Sequence, residues 1–284
     1  MRKIVSLLIM FSAVWTIGFQ ALDITNDAEE MSLSGAGIAL NINPNVNPSS
    51  ILWFENPYIS FSQTSWFGGV SGQKMQLVWN RKSPKLFYIE KLGLDDIELR
   101  DEIPQDEPLG QFGTYWVSTR ITTGYRFSGF DFGVSLRGSY TRLYHYSAIA
   151  FSADFGITKK LSNLVNTGLI IKNLGYCYSE SLRNHLPTTV GFGISIDEPF
   201  VSSTVFADVM FSDTHGIVGY SGIIIPISKL KLISAVEYSS KLEHLAISSG
   251  FSFSHRKWGL QYSIKLHSSE VLGIPHSVDI IWYY

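Results

Sequence analysis

The densest group of side chains that could bind a ligand is an acidic stretch between residues 95 and 107. Its carboxylates are Asp95, Asp96, Glu98, Asp101, Glu102, Asp106 and Glu107. Carboxylate oxygens are the ligands that Ca²⁺ takes in proteins, so such a density could hold a calcium ion. The stretch lacks the ligand spacing and the glycine of a calcium-binding loop. We therefore expect a solvated outer loop, with calcium binding as the alternative.

No enzymatic signature accompanies these carboxylates. The sequence contains no Gly-x-Ser-x-Gly, no His-Glu-x-x-His and no phosphate-binding glycine loop. The best pair for nucleophilic catalysis is His145 beside Ser147, and coincidence explains their proximity better than chemistry does. Cys177 is the single cysteine, which excludes an internal disulfide framework and a cysteine-based metal cluster. We expect no enzymatic activity, no metal and no cofactor.

Composition favours a membrane environment that is crossed without helices. Charged residues make up 16% of the chain, against about 25% in soluble domains, and the net charge of −2 offers no basic surface for nucleic acid. Arg2 and Lys3 precede an apolar run from Ile4 to about Ile17, which is the layout of a secretory signal peptide over residues 1–21. A membrane anchor is the alternative. No later stretch offers about 18 consecutive apolar residues.

Apolar and polar residues alternate along most of the chain after residue 57. In residues 257–267 one face carries Trp258, Leu260, Tyr262, Ile264 and Leu266, and the other face carries small or polar residues. A period of two is typical of a strand with one apolar face. Alternation and turn residues predict strands near 58–67, 70–80, 84–92, 112–127, 130–143, 147–158, 163–174, 187–197, 200–211, 215–226, 229–239, 245–254, 257–267 and 276–284.

Most of these strands would have about nine to thirteen residues, whereas strands of soluble proteins average about five or six. A tilted strand needs about nine to eleven residues to cross a bilayer, and bacterial outer-membrane barrels have an even number of strands. The short connections fall mainly on one side, where periplasmic turns are expected, and the two long ones fall on the other. The fold class predicted is all-β: a single transmembrane antiparallel β-barrel of about fourteen strands over residues 57–284, in the outer membrane. A soluble β-sandwich is the alternative.

The last strand predicts how the barrel closes. Val278, Ile280, Trp282 and Tyr284 form its apolar face, and we expect them to be the signal that the barrel assembly machinery recognises. Asp279 lies on the opposite face and is expected in the lumen, because a charge facing lipid costs on the order of 2 kcal/mol or more. The last strand should pair with the first, since an open edge in hydrocarbon leaves backbone groups unpaired.

Residues 22–56 precede the first strand and are rich in small residues and Asn-Pro pairs, including Gly35, Gly37, Asn47 and Pro48. An empty barrel of this size would be a pore, so we expect residues from about Met31 to Ser50 to enter or cap the periplasmic half of the lumen as a plug. Several charges on the polar face of the strands should pair inside the lumen or hold the plug, with a solute pathway as the alternative. They are Arg120, Arg126, Asp131, Arg137, Asp154 and Lys172.

The stretch SGAGIALNINPNVNPSSI, at residues 34–51, resembles the Gly/Ala-rich opening and Asn-Pro motif of the PorV/PorQ family. These proteins are outer-membrane barrels related to the FadL fatty-acid transporters. LGQFGTYW at 109–116, FSADFGI at 151–157, LIIKNLGY at 169–176 and LPTTVGFGIS at 186–195 resemble the same family in the same order. Ser49 stands where the family usually has alanine. The likeness covers most of residues 31–200.

The resemblance implies a FadL-like barrel of fourteen strands with a luminal N-terminal segment. For PorV- and PorQ-like members it also implies a part in type IX secretion. The first hypothesis is therefore a non-catalytic component of protein secretion or surface attachment, with secretion-system proteins or cargo as partners besides outer-membrane lipid. The alternative is a FadL-like channel for hydrophobic small molecules. A channel should show an apolar pocket beneath the outer loops and a kinked strand that opens a lateral exit. A binding component should show a plugged lumen and outer loops shaped for a partner.

Overall fold

The computed structural model describes residues 20–79, 82–100, 106–179, 183–241, 243–267 and 273–284. The proposed signal peptide therefore lies almost entirely outside the described residues. The strands are β1 (Tyr58–Ser65), β2 (Ser71–Trp79), β3 (Lys85–Leu99), β4 (Gly110–Phe127), β5 (Phe130–Leu143), β6 (Tyr146–Lys160), β7 (Val165–Ser179), β8 (Arg183–His185), β9 (Thr189–Glu198), β10 (Ser203–Ser212), β11 (Gly216–Ile227), β12 (Leu230–Ser239), β13 (His244–His255), β14 (Trp258–His267) and β15 (His276–Tyr283).

The strands form a closed antiparallel ring. Each strand pairs with the next along the chain, except that the short β8 pairs only with β7, and β7 pairs directly with β9. The first and last strands close the ring, with Tyr58 opposite Tyr283 and Ser65 opposite His276. The wall therefore contains fourteen strands, and the predicted all-β barrel is confirmed.

Alternation decides which side chains face the lumen. On β14, Trp258, Leu260, Tyr262 and Leu266 are exposed on the outer surface and Ile264 is half-buried on the same face, whereas Gly259, Gln261, Ser263 and Lys265 are buried inside. β15 follows the same rule, because Ile280 and Trp282 are exposed while Ser277, Asp279 and Ile281 are buried. Since Cβ atoms alternate across a strand, a shift of one residue would move every apolar side chain to the wrong face. The apolar outer face is the surface that contacts lipid.

The two ends of the barrel differ in their connections. Residues 128–129, 228–229 and 256–257 form two-residue turns at the end that carries Tyr58 and Tyr283, which is the periplasmic end by the short-turn rule.

The wall is taller on one side than on the other. Strands β3 to β7 have 14 to 18 residues, whereas the other full-length strands have 8 to 12.

Two sequence expectations about the outer connections are wrong. The acidic stretch is not wholly a loop, because Asp95, Asp96 and Glu98 lie on an extension of β3 that pairs with β4. A bulge between Leu94 and Ile97, with Asp96 at φ 61°, accommodates the extra residue. Asp101 and Glu102 lie outside the described residues. The connection after β7 contains β8, which is too short to show alternation.

The chain before β1 lies inside the barrel. It contains a 3-10 turn (Gln20–Asp23), a short helix α1 (Ala28–Ser32) and a second 3-10 turn (Pro48–Trp53). Its apolar side chains pack on inward-facing residues of the wall: Leu33, Ala36 and Leu40 against β10 to β12, and Ile51 against the periplasmic ends of β1 to β3. Among the described residues, no helix has the length and apolar character that crossing a membrane requires.

Candidate functional site in the barrel lumen

The N-terminal segment, residues 20–57, is held by two carboxylates of the wall. The N–H of Ala28 donates to both oxygens of Asp279, at 3.1 and 2.9 Å. The N–H groups of Gly37 and Ile38 donate to one oxygen of Asp208, at 2.5 and 2.9 Å. Gly37 has a φ of +106°, which a residue with a Cβ rarely adopts, so glycine permits the turn that aims both N–H groups at Asp208.

A buried ion pair fixes the start of α1. Asp27 caps the helix by accepting the N–H of Glu30 at 2.7 Å, and it also bonds Nζ of Lys74 on β2 at 2.6 Å. Nδ2 of Asn45 donates to the same carboxylate at 3.1 Å. Removing one partner of such a buried pair is costly, because it leaves the other charge uncompensated. The pair therefore ties the segment to the wall in one position.

A second ionic network crosses the lumen on the taller side of the barrel. Arg120 pairs with Asp154 at 2.7 Å, and its Nη1 donates to the carbonyl of Asn45 in the N-terminal segment at 3.3 Å. Asp154 also accepts the N–H of Asn173 at 2.7 Å. Arg137 reaches Oδ1 of Asn173 at 3.4 Å. The prediction that luminal charges pair with one another and hold the segment is confirmed for Arg120 with Asp154. It is also confirmed for Arg126 with Asp131, which pair at 2.6 Å while Asp131 accepts the indole N–H of Trp53 at 2.8 Å.

A track of glycines on the inner wall receives the backbone of the segment. Gly124, Gly133 and Gly156 are directly opposite one another on β4, β5 and β6, and Gly168 is opposite Gly193 on β7 and β9. A Cβ on Gly133 would overlap the backbone of Pro48 and Ser49, and one on Gly168 would lie 2.7 Å from the carbonyl oxygen of Ile38. The wall therefore approaches the segment as closely as it does because these positions carry no side chain.

Asn47 shapes the part of the segment that lies on this track. Its Nδ2 donates to the carbonyl of Ile38 at 2.7 Å, and its Oδ1 accepts the N–H and the hydroxyl of Ser49 at 3.1 and 2.8 Å. Pro48 follows at the first position of the 3-10 turn, where its fixed φ is compatible with the turn. The Asn-Pro motif thus stabilises the local conformation of the segment and also contacts the wall. The role of residues 31–50 as a plug stays a prediction.

The outer half of the lumen has an apolar lining. Leu22 packs there against Ala148, Ala150, Cys177 and Leu186 from β6, β7 and the end of β8. Beside it a cavity of about 10 Å³, room for about one water molecule, is bordered by Ala21, Leu22, Leu92 and Trp116 and by the polar residues Glu90, Ser118 and Ser139. The start of the N-terminal segment therefore fills most of this apolar region, in the outer half of the barrel rather than in the periplasmic half alone.

The wall is interrupted beside the same apolar region. β7 pairs with β9 up to Lys172 opposite Thr189, and it pairs with β8 from Tyr176 opposite His185. Between these points Lys172 and Asn173 together oppose Asp154 of β6 in a bulge of β7, and the N–H of Asn173 donates to the side chain of Asp154. The facing chain runs through Pro187, which has no N–H to donate, and the N–H of Leu186 donates to the carbonyl of Gly175 at 3.0 Å.

The periplasmic half of the lumen contains a cavity of about 600 Å³ beneath the N-terminal segment. Its lining combines hydroxyl, amide and charged groups with aromatic and aliphatic side chains, in contrast to the apolar region above. Asp27, Glu29 and Asp279 border it from above, and Tyr58 and Tyr283 from the side. The two regions share no lining residue.

The other residues singled out from the sequence occupy separate places. Val278, Ile280, Trp282 and Tyr284 lie on or beyond β15 on its outer face, as expected for an assembly signal, and that role stays a prediction. His145 stacks on Tyr144 in the turn after β5, and no hydrogen bond joins it to Ser147 in the part of the chain that the structure describes. Within the same described ranges, no group of three or more His, Cys, Asp or Glu could hold a metal ion.

Asp208 and the glycine track are the site residues that sequence reasoning missed. A lone carboxylate on the inner face of β10, between Phe206 and Met210, is the signal that could have found Asp208. The glycines alternate with apolar residues along their strands, but only the register between strands aligns them.

No protein-family model and no curated protein matches the sequence. Solved structures do match. The CymD monoaromatic hydrocarbon channel superposes with a TM-score of 0.66 at 12% identity, covering 92% of this chain and 98% of CymD. The Pseudomonas putida toluene transporter TodX superposes with a TM-score of 0.63 at 11% identity, covering 93% of this chain and 99% of TodX.

The chain has the fold of these two channel proteins. At these identities the likeness shows the fold alone. Each superposition covers nearly the whole of both chains, so it includes the N-terminal segment as well as the barrel. A barrel of this kind belongs in the bacterial outer membrane. The comparisons lend no support to the resemblance to the PorV/PorQ family in particular.

Proposed function

We propose that this protein is an outer-membrane channel that takes up small hydrophobic molecules. The observation that carries the proposal is the apolar region around Leu22, Ala150 and Leu186 in the outer half of the lumen. An apolar solute that leaves water gains about 25 cal/mol per Å² of buried surface, and this region offers it such a surface. The shared fold with two hydrocarbon channels supports the same function.

The N-terminal segment would act as the gate of this channel. Leu22 occupies the apolar region, so a solute must displace it or bind beside it. Below that point the lining becomes polar and charged, with Arg120, Asp154 and Lys74 buried in the middle of the barrel. Such a lining disfavours passage of an apolar solute to the periplasm.

A lateral exit is the route that the wall supports. The interruption between β7 and β9 lies next to Cys177 and Leu186, which belong to the apolar region. Leu186 is 2% exposed on the inside, and Leu174, across the interruption, is 53% exposed on the outside. A solute passing between them would move from one apolar surface to the next without crossing the charged zone below. An apolar luminal region next to an interruption of the wall is expected of a channel for hydrophobic solutes, and a barrel that only binds proteins does not require it.

The test is the initial rate of toluene accumulation by cells that express the protein in their outer membrane. Trp116→Ala, which changes the apolar region, should alter the rate, whereas Phe151→Ala, on the lipid-facing surface of β6, should not. A rate equal to that of cells without the protein would refute the proposal. If the protein then bound a defined secreted substrate with the outer rim, the secretion hypothesis would replace it.

A further inference from the structure

The periplasmic cavity has a chemistry that the uptake of hydrocarbons does not use. It encloses about 600 Å³ and is lined by carboxylates, aromatic rings, hydroxyls and amides. A wholly apolar solute would leave the cavity's polar groups without hydrogen-bond partners. A ligand that carries both polar and apolar groups suits this lining better than a hydrocarbon does.

Two carboxylates in this lining have no hydrogen bond or ion pair among the described residues: Glu55, which is exposed at the rim, and Glu29, which is half-buried. Asp27 is paired with Lys74 at 2.6 Å, and Asp279 accepts the N–H of Ala28. The side chain of Glu29 makes no hydrogen bond or ion pair with any residue that the structure describes. Burial inside the barrel raises its pKa to about 7, so at mildly alkaline pH it is an ionised carboxylate without a counterion in contact.

Aromatic rings border the same space. Phe54 lies 5.7 Å from Tyr58 between ring centroids, and Tyr58 lies 6.0 Å from Tyr283. All three rings line the cavity that Glu29 also borders. A carboxylate beside aromatic faces is the combination that binds organic ammonium groups, through ion pairing and cation–π attraction.

The remaining lining sets the size and polarity of a ligand. Ser60, Ser252, Ser254 and Gln261 supply hydroxyl and amide groups along the wall. Lys231 also lines the cavity, and its positive charge would repel a ligand's ammonium. Lys229, at the rim, is already engaged with His255 at 2.9 Å. These groups suit an elongated ligand that carries more than one polar group.

We propose that this cavity binds an organic amine of polyamine size, entering from the periplasm. Its ammonium group would pair with Glu29, and its alkyl chain would lie along Phe54, Tyr58 and Tyr283. The site does not depend on the channel function, because it shares no residue with the apolar region.

Spermidine titrated into the full-length, detergent-purified protein at about pH 8 tests the site by calorimetry. Saturable binding is expected. Glu29→Gln should weaken it at least about fivefold, and Lys231→Met should tighten it, because the first removes the attracting charge and the second removes the repelling one. Glu107→Gln, the same charge change on an exposed residue, should leave the affinity unchanged.

Three results would overturn the proposal. One is the absence of saturable binding to the folded native protein. Another is equal affinity in Glu29→Gln and Glu107→Gln. The third is that Mg²⁺, at matched ionic strength, competes for the site as well as spermidine does, because the binding would then reflect only a general attraction of cations. Because Lys231→Met predicts a change of opposite sign, the proposal stays testable if the Glu29 variant folds poorly.

Discussion

Replacing Gly133 by alanine should loosen the N-terminal segment while leaving the barrel wall intact. A Cβ at this position would overlap the backbone of Pro48 and Ser49, and backbone atoms cannot move aside by changing rotamer. Overpacking typically costs about 1–3 kcal/mol, and the backbone overlap places this change near about 2–3 kcal/mol. Since about 1.4 kcal/mol is a factor of ten, local opening of the segment should increase about 30- to 150-fold.

Hydrogen exchange of residues 46–54 measures this opening. Their amides are protected by bonds within the segment, such as Asn47 N–H to Asn43 at 3.1 Å and Ser50 N–H to Asn47 at 3.0 Å. When opening is fast relative to exchange, the exchange rate follows the population of the open form. Peptides that cover this stretch should exchange faster by the same factor, while peptides of β12 to β14 should not change.

Two further alanine substitutions provide the comparison. Gly138→Ala lies on the same strand but on its outer face, where the new Cβ would be 3.7 Å from the ring of Phe151, an ordinary contact. It should leave exchange unchanged. Gly156→Ala would overlap the side-chain amide of Asn47, which can move, so its effect should be intermediate. If Gly133→Ala and Gly138→Ala gave the same exchange in folded barrels, the close approach of segment and wall would not stabilise the segment.

Three other outcomes follow from the same contacts. Asp208→Ala should speed exchange of the Gly37 and Ile38 amides at least about tenfold, because it removes the acceptor of both N–H groups; unchanged exchange would show that water replaces the carboxylate at no cost. Deleting Tyr284 should lower the fraction of heat-modifiable, folded protein in the outer membrane more than deleting Glu107 does, and equal fractions would show that the end of β15 is not an assembly signal. Because burial raises the pKa of Glu29 to about 7, the folded state binds its proton more tightly than the unfolded state does. Docking of the N-terminal segment should therefore weaken as pH rises from about 4.5 to 7, and Glu29→Gln should remove this pH dependence. Hydrogen exchange of the segment, corrected for intrinsic rates, measures the effect.

The barrel itself follows from local pattern. Period-two alternation in residues 257–267 and 276–284 places Trp258 and Ile280 on lipid and Asp279 in the lumen, because no other arrangement keeps the apolar faces together and the charge out of hydrocarbon. Strand length and turn residues then predict the number of strands within the described chain. The extension of β3, the bulge and extension of β7 and the three-residue β8 depart from this pattern, and all three lie toward the outer end of the wall.

The interior is decided by tertiary structure. Gly124, Gly133 and Gly156 become one track only through the register of three strands, which no single strand specifies. Asp208 and Asp279 are far from residues 28–38 in sequence, and their role as acceptors depends on where the N-terminal segment enters the barrel. The interruption between β7 and β9 lies beside a bulge at which the N–H of Asn173 bonds Asp154 of β6, and Asp154 is in turn paired with Arg120. Alternation determines which face of a strand a side chain occupies, but the luminal partners of that side chain depend on strand tilt and stagger around the closed ring.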